Sequence, residues 1–496
     1  MYTRKPPFAR GRAPFFADGT EKTADISFSG LAFPARRVIL DKYLYAFQHP
    51  NNNPNSERFC KMKKLLMSLM CLALGASVFG ADLYVSQANG KKKGPGTKEE
   101  PFKAISDAIK AANPGDTIYM AAGNYSGLLG ASEIIIDKPV TIKGGYSDDF
   151  ATRDLAKFTT KIQPANDKND SKGIGVLTLK LPNGAGPDMV IDGIVIDQSF
   201  MNSYHDTKGK PEGVETGMWL EPPAKGSKDK FASAKSYSIY SETAGRFEGN
   251  VIIKNCVFSN SGNYGINLNL YKGKATIENN LFVACRMISC NVLCSSAKNG
   301  DVTCDFANNT VLFSWSRTDD FGDMGYGYRC NAKVVSNVHH NIFGLSVFAG
   351  VDNAMGDPKT KAVTINDNVF FLNKQADVTV VKSPSILKLR VDEEAFEDMI
   401  DFPGMEDVDG NVSLKDPAAF KGAINQAYLT AFLNASYSET TDFDENSPAN
   451  LFRAAMGMNK VGKIETKVSM YGNRYPLDET FKLFGAYKEY GAQAVK

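Results

Sequence analysis

A short repeated segment constrains the fold of this chain more than any other feature. Five copies follow one another at steps of 24, 29, 32 and 27 residues when they are aligned on Cys256, Asn280, Asn309, Asn341 and Asn368. Their sequences are VIIKNCVF, ATIENNLF, CDFANNTV, SNVHHNIF and VTINDNVF. Steps of this length are typical of solenoids, in which each repeat forms one turn that stacks on its neighbours.

The repeat alternates between small or apolar positions and mixed ones, which predicts β-strands. The position three residues before the aligned one holds Ile253, Ile277, Phe306, Val338 and Ile365, and the position five before it holds Val251, Ala275, Cys304, Ser336 and Val363. Residues two apart share one face of a strand. A third apolar position, two residues after the aligned one, is filled by Phe258, Phe282, Val311, Phe343 and Phe370. We expect each buried Phe to contribute roughly 1.5–3 kcal/mol.

Asparagine dominates the turn that follows each of these strands. Asn tolerates the left-handed backbone of a sharp turn, so we expect this conformation at the aligned position, with Gly193 occupying it one turn earlier. The preceding position holds Asn255, Asn279, Asn308, His340 and Asp367. Stacked amides there would hydrogen-bond to one another as a ladder. Apolar stacks inside and Asn-rich turns outside predict a parallel β-helix.

The N-terminal part of the repeat region adds a resemblance to a known group. Phe102, Ile105, Ile109 and Ala112 recur at helical spacing before a Pro-Gly-Asp stop, and TIKGGYSDDFATRD follows at 141–154. Over residues 82–415 the chain resembles the right-handed parallel β-helix proteins of the pectate-lyase-like superfamily. The resemblance implies an all-β, right-handed parallel β-helix solenoid with an N-terminal capping helix. Because that superfamily includes lyases, hydrolases, epimerases and adhesins, the fold does not choose an activity.

The first 80 residues do not read as part of the solenoid. Residues 62–80 combine Lys63 and Lys64 with an apolar run at 65–74, which is typical of a signal peptide and too short to span a membrane. We expect a product secreted to the cell surface, the periplasm or the medium. Residues 1–61 show no periodicity, and we interpret them as a mis-annotated or disordered N-terminal extension.

The exported part divides into a solenoid and a C-terminal extension. We place the β-helix at 81–390, with a long excursion between Gly193 and Cys256. Residues 391–496 form a partly helical extension, in which Asp416 and Ser447 each precede a proline as helix N-caps. We expect this extension to cover the last turn and to lie back along the solenoid.

Charge and cysteine content limit the partners and the chemistry. The net charge of +2 favours neither nucleic acid nor a membrane, and we expect a monomer that meets a polysaccharide or cell-surface glycan. Six of the 8 cysteines follow the predicted cleavage site: Cys256, Cys285, Cys290, Cys294, Cys304 and Cys330. Secretion permits disulfides, packed thiols fit the pattern equally well, and zinc is disfavoured because no CxxC pair occurs.

The residues that break the repeat are the candidates for substrate binding. Both tryptophans lie in the two excursions, and a flat ring at the base of a loop can stack on a sugar. The predicted substrate-binding residues are Trp315, Tyr326, Tyr328, Trp219 and His205. The alternative is that each Trp packs its own loop onto the solenoid.

The richest charged cluster lies in the second excursion. The predicted catalytic residues are Asp319, Asp320, Asp323, Arg317 and Arg329. The three carboxylates suit a Ca²⁺ site or an acid and base pair of a glycoside hydrolase. The arginines suit the neutralisation of a uronate carboxylate in a lyase. A solvated, charge-balanced loop is the fourth reading.

These observations lead to two functional hypotheses. The first is a secreted protein that binds or cleaves an acidic extracellular polysaccharide, as a polysaccharide lyase or a glycoside hydrolase. It predicts that Asp, Arg and Tyr side chains from 201–249 and 315–333 converge. The second is a non-catalytic adhesion or structural β-helix, in which the charged residues scatter without a shared cleft.

Overall fold

The computed structural model of the chain describes residues 80–125, 133–163, 175–198, 237–241, 245–315, 325–354, 362–382, 385–437, 443–462 and 474–495. All described residues belong to one compact unit, Val78–Lys496. The predicted N-terminal extension and all but the last residue of the predicted signal peptide fall outside them. No described helix is long and apolar enough to cross a membrane.

Three long sheets run along this unit. The first contains Asp82–Val85, Thr117–Ala121, Thr141–Tyr146, Met189–Asp192, Val251–Lys254, Gly273–Glu278, Val302–Ala307, Val334–His339, Val363–Asn366 and Met405–Asp409. The second contains Gly123–Tyr125, Thr160–Ile162, Val195–Asp197, Val257–Ser259, Leu281–Val283, Thr310–Leu312, Ile342–Gly344, Val369–Phe371 and Val412–Ser413. The third contains Ile134–Ile136, Gly175–Leu179, Tyr237–Ser241, Ile266–Leu270, Ile288–Cys294, Tyr326–Cys330, Ala349–Asn353, Ala376–Lys382 and Ser385–Leu389. Gly184–Ala185 and Phe247–Glu248 form a small separate pair.

Each turn of the chain visits the three sheets in the same order. Val251–Lys254, Val257–Ser259 and Ile266–Leu270 make one turn, and Gly273–Glu278 begins the next. Successive turns pair in parallel with no offset between repeats, so Ile253 lies beside Ile277. The third sheet ends in an antiparallel pair between Ala376–Lys382 and Ser385–Leu389. This architecture is the right-handed parallel β-helix predicted from the repeat.

The predicted apolar columns fill the interior of the solenoid. Both strand columns and the Phe column are fully buried, including Ile277, Cys304 and Ser336. The Phe rings stack from turn to turn, with centroids 5.0 Å apart for Phe258 and Phe282 and 5.4 Å apart for Phe343 and Phe370. The interior column therefore has the continuity that the sequence alignment predicted.

The left-handed residue of the first corner lies one position earlier than predicted. Asn255, Asn279, Asn308, His340 and Asp367 have φ between 52° and 56°. Gly193, with φ of 72°, belongs to this same column, because its N–H donates to the carbonyl of Lys254 just as that of Asn255 donates to Glu278. The prediction for the aligned position was therefore wrong by one residue, since Asn suits both places.

The aligned position carries the long amide ladder instead. Each Asn Nδ2 donates to the Oδ1 of the Asn one turn on, at 3.0 Å from Asn280 to Asn309, 3.1 Å from Asn309 to Asn341 and 3.0 Å from Asn341 to Asn368. The same Oδ1 atoms accept backbone N–H groups, as when Asn309 N–H donates to Asn341. These amides are fully buried. In the column predicted to form the ladder, a shorter contact joins Asn279 to Asn255.

Both ends of the solenoid are covered. The helix Ile105–Ala111 buries Ile105, Ala108 and Ile109 over the N-terminal end, as predicted. At the other end, Met405–Asp409 and Val412–Ser413 still pair with the first and second sheets. The β-helix thus continues past the boundary at residue 390 that the sequence suggested.

The rest of the C-terminal extension is partly helical and lies along the second sheet. Its α-helices are Gln426–Ser436, Pro448–Ala455 and Leu477–Thr480, and its 3-10 helices are Glu394–Asp401, Pro417–Phe420 and Phe481–Leu483. Asp416 and Ser447 cap their helices as expected, accepting from the N–H groups of Ala418 and Asn450. Tyr475 N–H donates to Asn260 Oδ1 and Gly491 N–H to the His340 carbonyl, both at 2.8 Å. The extension therefore runs back over several turns.

The six described cysteines are free thiols. All but Cys294 are buried in the solenoid. Among the described residues, no group of three or more His, Cys, Asp or Glu side chains is placed to hold a metal ion. For these cysteines the structure favours packed thiols over bridges.

Candidate functional site

A row of outward-facing residues crosses the third sheet. Tyr328 and Cys330 belong to the interior core, so Arg329 between them projects to the exterior. The register aligns Arg329 with a residue of each neighbouring strand, in the order Tyr240, Asn267, Asn291, Arg329, Asp352, Thr379 and Lys388. We call these seven residues the third-sheet row.

Arg329 and Asp352 form the charged centre of this row. Arg329 Nε lies 2.6 Å from Asp352 Oδ2, and Thr379 Oγ1 donates to Asp352 Oδ1 at 2.8 Å. Burial acts to lower the pKa of Arg329, but the charge and hydrogen bond of Asp352 outweigh it and the pKa lies above its ordinary value. The Asp352 side chain is 3% exposed and that of Arg329 is 24% exposed. The buried carboxylate of Asp352 therefore holds Arg329 in position, and the guanidinium of Arg329 is the group that solvent reaches.

Aromatic rings surround the charged centre. The Arg329 guanidinium carbon lies 5.1 Å from the centre of the Tyr326 ring, which packs against Phe348 at 4.9 Å. A second group lies further along the sheet, where Tyr237 is 5.3 Å from both Tyr240 and Tyr264. The rings of this second group are half-buried. They have the partial exposure that stacking on a sugar requires.

Amide groups continue the row between these two regions. Asn291 Nδ2 donates to Asn267 Oδ1, and Asn331 Nδ2 donates to Asn291 Oδ1, both at 2.7 Å. The chain of amides fixes the direction of each carbonyl and each NH₂ group. Asn267 and Asn291 are only 8% and 5% exposed, so these amides chiefly hold the row in order.

Two of the predicted site residues, Arg329 and Tyr326, lie together on this face. Only Arg329 is accessible to a ligand. Tyr326 is only 3% exposed, so its ring supports the guanidinium and does not offer a free face to a ligand. The predicted pairing of Arg and Tyr is present, but the roles of the two residues differ from those expected.

Two other predicted substrate-binding residues are buried. Tyr328 is fully buried in the solenoid, where its ring stacks on Phe306 at 4.6 Å and its hydroxyl lies 3.1 Å from Ser336 Oγ. Trp315 is 1% exposed, and its Nε1 donates to the Ala284 carbonyl at 3.3 Å. Neither ring is placed to stack on a sugar, and the alternative reading, packing against the solenoid, describes Trp315.

The other predicted site residues lie outside the described part of the chain. They are Arg317, Asp319, Asp320, Asp323, Trp219 and His205. Their segments, 199–236 and 316–324, directly precede Tyr237 and Gly325 in the sequence, where the chain enters two strands of the third sheet. The sequence thus connects both excursions to the sheet that carries Arg329.

Sequence reasoning missed Asp352, Thr379, Asn267, Asn291 and the tyrosine group. The strands of the third sheet begin at variable distances after the repeat, so an alignment on the first corner does not predict their register. The signal that could have found them is the alternation within GVDN and INLNL, which places Asp352 and Asn267 opposite their apolar neighbours.

Comparisons with known proteins do not assign an activity to this chain. A family model described as "Protein of unknown function (DUF1565)" matches residues 88–160. A comparison with curated proteins finds no match. Among solved structures, the chain is similar to a rhamnogalacturonan lyase at 9% identity and a TM-score of 0.34, covering 68% of this chain and 87% of that one.

Two further structures show a similar degree of likeness. A pectate lyase is 12% identical with a TM-score of 0.31, covering 68% of this chain and 78% of its own. A pectin methylesterase from Aspergillus niger is 12% identical with a TM-score of 0.22, covering 67% and 85%. The assignment of the fold depends on the three sheets themselves, and by that architecture the protein is a right-handed parallel β-helix protein.

Proposed function

We propose that the exterior of the third sheet binds an acidic polysaccharide, with Arg329 contacting a carboxylate of the sugar. The observation that carries this proposal is the Arg329–Asp352 pair. In the described part of the chain, Asp352 engages only Nε of Arg329, so both terminal NH₂ groups remain to donate. Two parallel N–H groups match the geometry of a carboxylate.

The surroundings of Arg329 support a glycan over other anions. The half-buried tyrosine group offers rings at one end of the face, and the amides of Asn267 and Asn291 lie between those rings and Arg329. A polymer of acidic sugars would present ring faces to the tyrosines, hydroxyl groups along the row between them, and a carboxylate to Arg329. A short inorganic anion would use only the guanidinium.

Cleavage of the bound chain is the finer form of the proposal. Asp319, Asp320, Asp323 and Arg317 would supply acid–base groups or a Ca²⁺ site from the excursion that enters the third sheet beside Tyr326. In a lyase, Arg317 and Arg329 would neutralise the uronate carboxylate. A base would then remove the proton from the carbon next to that carboxylate. In a hydrolase, two of the carboxylates would act as acid and base.

A panel assay separates these possibilities. The protein would be incubated with acidic and neutral polysaccharides, with and without Ca²⁺, while ultraviolet absorbance and reducing ends are followed. Rising absorbance from unsaturated uronate that falls in Arg317→Ala and Arg329→Ala would support a lyase. Reducing ends without absorbance would support a hydrolase. Retention of an acidic glycan without either product would support binding alone, and no retention of any acidic glycan would reject the proposal.

A further inference from the structure

A separate cavity lies between the last turns of the solenoid and the C-terminal extension. Its volume is about 510 Å³. The solenoid side contributes Asn373, Asp377 and Arg390, and the extension contributes Tyr437 and Arg453. Arg329 and Asp352 are not among its lining residues. The cavity is therefore distinct from the third-sheet row, and a volume of this size suits a small organic ligand.

Arg453 is the unusual group in this cavity. It is only 2% exposed, and its guanidinium donates to the amide oxygens of Asn450 and Asn434, each at 3.3 Å. Within the described part of the chain it forms no ion pair with a carboxylate. Burial lowers the pKa of Arg453 from its ordinary value. Buried charges are usually paired, because an unpaired one carries a large desolvation cost.

Two carboxylates, Asp377 and Asp392, also line the cavity, but neither forms an ion pair with Arg453. Arg390 uses its terminal nitrogens on the carbonyls of Asn373 and Lys374, at 3.1 and 3.0 Å, so it adds a second cation. Asp377 is held by Asn373 Nδ2 and by the N–H of Val391. Burial raises the pKa of Asp377 above its ordinary value. Asp392 is exposed and accepts a hydrogen bond from Ser413 Oγ at 2.6 Å.

The start of the helix Pro448–Ala455 adds to the positive character of the cavity. Ser447, Pro448 and Ala449 line the cavity, so the N-terminal end of this helix faces it. That end carries a partial positive charge. Phe371 and Leu372 supply apolar lining on the solenoid side. The cavity thus combines a buried cation and an apolar wall.

We propose that this cavity binds a small sugar acid, whose carboxylate pairs with Arg453. Because neither lining carboxylate pairs with Arg453, the carboxylate of the ligand would be its direct counter-charge. A free monosaccharide acid fits within the cavity of about 510 Å³ and would use both the polar and the apolar lining. The site does not depend on glycan binding at the third-sheet row.

Thermal unfolding of the whole protein tests this proposal. Galacturonate is the probe, galactose is its neutral counterpart, and inorganic phosphate tests for a site that takes any anion. We expect galacturonate to raise the melting temperature in a saturable way and galactose to leave it unchanged. A shift with phosphate but not with galacturonate would overturn the assignment to a sugar acid.

Variants of Arg453 link the effect to the cavity. Arg453→Met replaces the buried charge by an apolar side chain of similar length, and should weaken galacturonate binding at least tenfold. Arg453→Lys retains a cation and should keep a weaker shift, which guards against a variant that fails to fold. Arg246→Met, which removes an exposed arginine elsewhere on the solenoid, is the matched control. An unchanged response in Arg453→Met, or no response to galacturonate in the wild type, would overturn the proposal.

Discussion

Arg329 and Asp352 form an ion pair across neighbouring strands of the third sheet, with Nε 2.6 Å from Oδ2. The pair couples a guanidinium that is 24% exposed to a buried carboxylate, so each group depends on the other. A double-mutant cycle with Arg329→Gln and Asp352→Asn should give a coupling free energy of about 1–2 kcal/mol in urea unfolding. The double variant should be more stable than the sum of the single losses predicts. Strict additivity would show that the pair is not coupled.

The amide ladder should be a major source of stability. Asn309→Ala removes the acceptor for Asn280 and the donor to Asn341 and to the Ile277 carbonyl, and leaves buried polar groups without partners. We expect a loss of about 2–4 kcal/mol in the free energy of unfolding. Asn337→Ala, on the outer face of the first sheet, is the control and should change it by less than about 0.5 kcal/mol. Equal effects of the two changes would contradict the ladder.

The buried thiols should be unreactive in the native protein. Burial raises the pKa of Cys285 to about 11 and that of Cys256 and Cys304 to about 12, so little thiolate forms. Among the six described cysteines, alkylation followed by peptide mapping should label Cys294 first and the others only on unfolding. Cys294→Ser should remove the fast label. Rapid labelling of Cys290 or Cys330, or a disulfide between any of the six, would contradict the packed-thiol arrangement.

Acid stability should depend on Asp305. The hydrogen bond from His339 Nε2, at 3.0 Å, and the ion pair with Lys274 lower the pKa of Asp305 below the ordinary value of 3.8. The folded state therefore binds fewer protons than the unfolded state, so this stabilisation is present above pH 3.8 and is lost as the pH falls through the lowered pKa.

Acid unfolding of Asp305→Asn measures this contribution. The wild type should be more stable than the variant above pH 3.8, and the difference should shrink as the solution is acidified. Asp398→Asn alters an exposed carboxylate and is the control. A stability difference between the wild type and Asp305→Asn that is independent of pH would contradict the assigned role of the carboxylate.

The solenoid could be predicted because its signal is local. Side chains along a strand alternate between its two faces. Val251 and Ile253 therefore indicate a buried face without knowledge of the rest of the fold. The corner is harder to predict, because Asn is suited both to a left-handed backbone and to an inward amide. Asn279 takes the first role and Asn280 takes the second.

The candidate site could be predicted only in part, since it depends on register in the third sheet. Arg329 was found because it lies in a segment that breaks the repeat. Its partner Asp352 is 23 residues away, and only the pairing of strands brings the two together. In the same strand, the alternation of side chains places Tyr328 inside the solenoid, although the sequence suggested an exposed ring.

The affinity for an acidic oligosaccharide tests whether Arg329 and Asp352 form a glycan-binding site. Binding of fluorescent oligogalacturonate would be measured for the wild type, for the charge-neutral double variant Arg329→Gln with Asp352→Asn, and for Lys254→Gln on the first sheet. We expect at least tenfold weaker binding for the double variant, unchanged binding for Lys254→Gln, and no binding of a neutral oligosaccharide by any of them. Equal affinity of the wild type and the double variant would contradict a binding site at this pair.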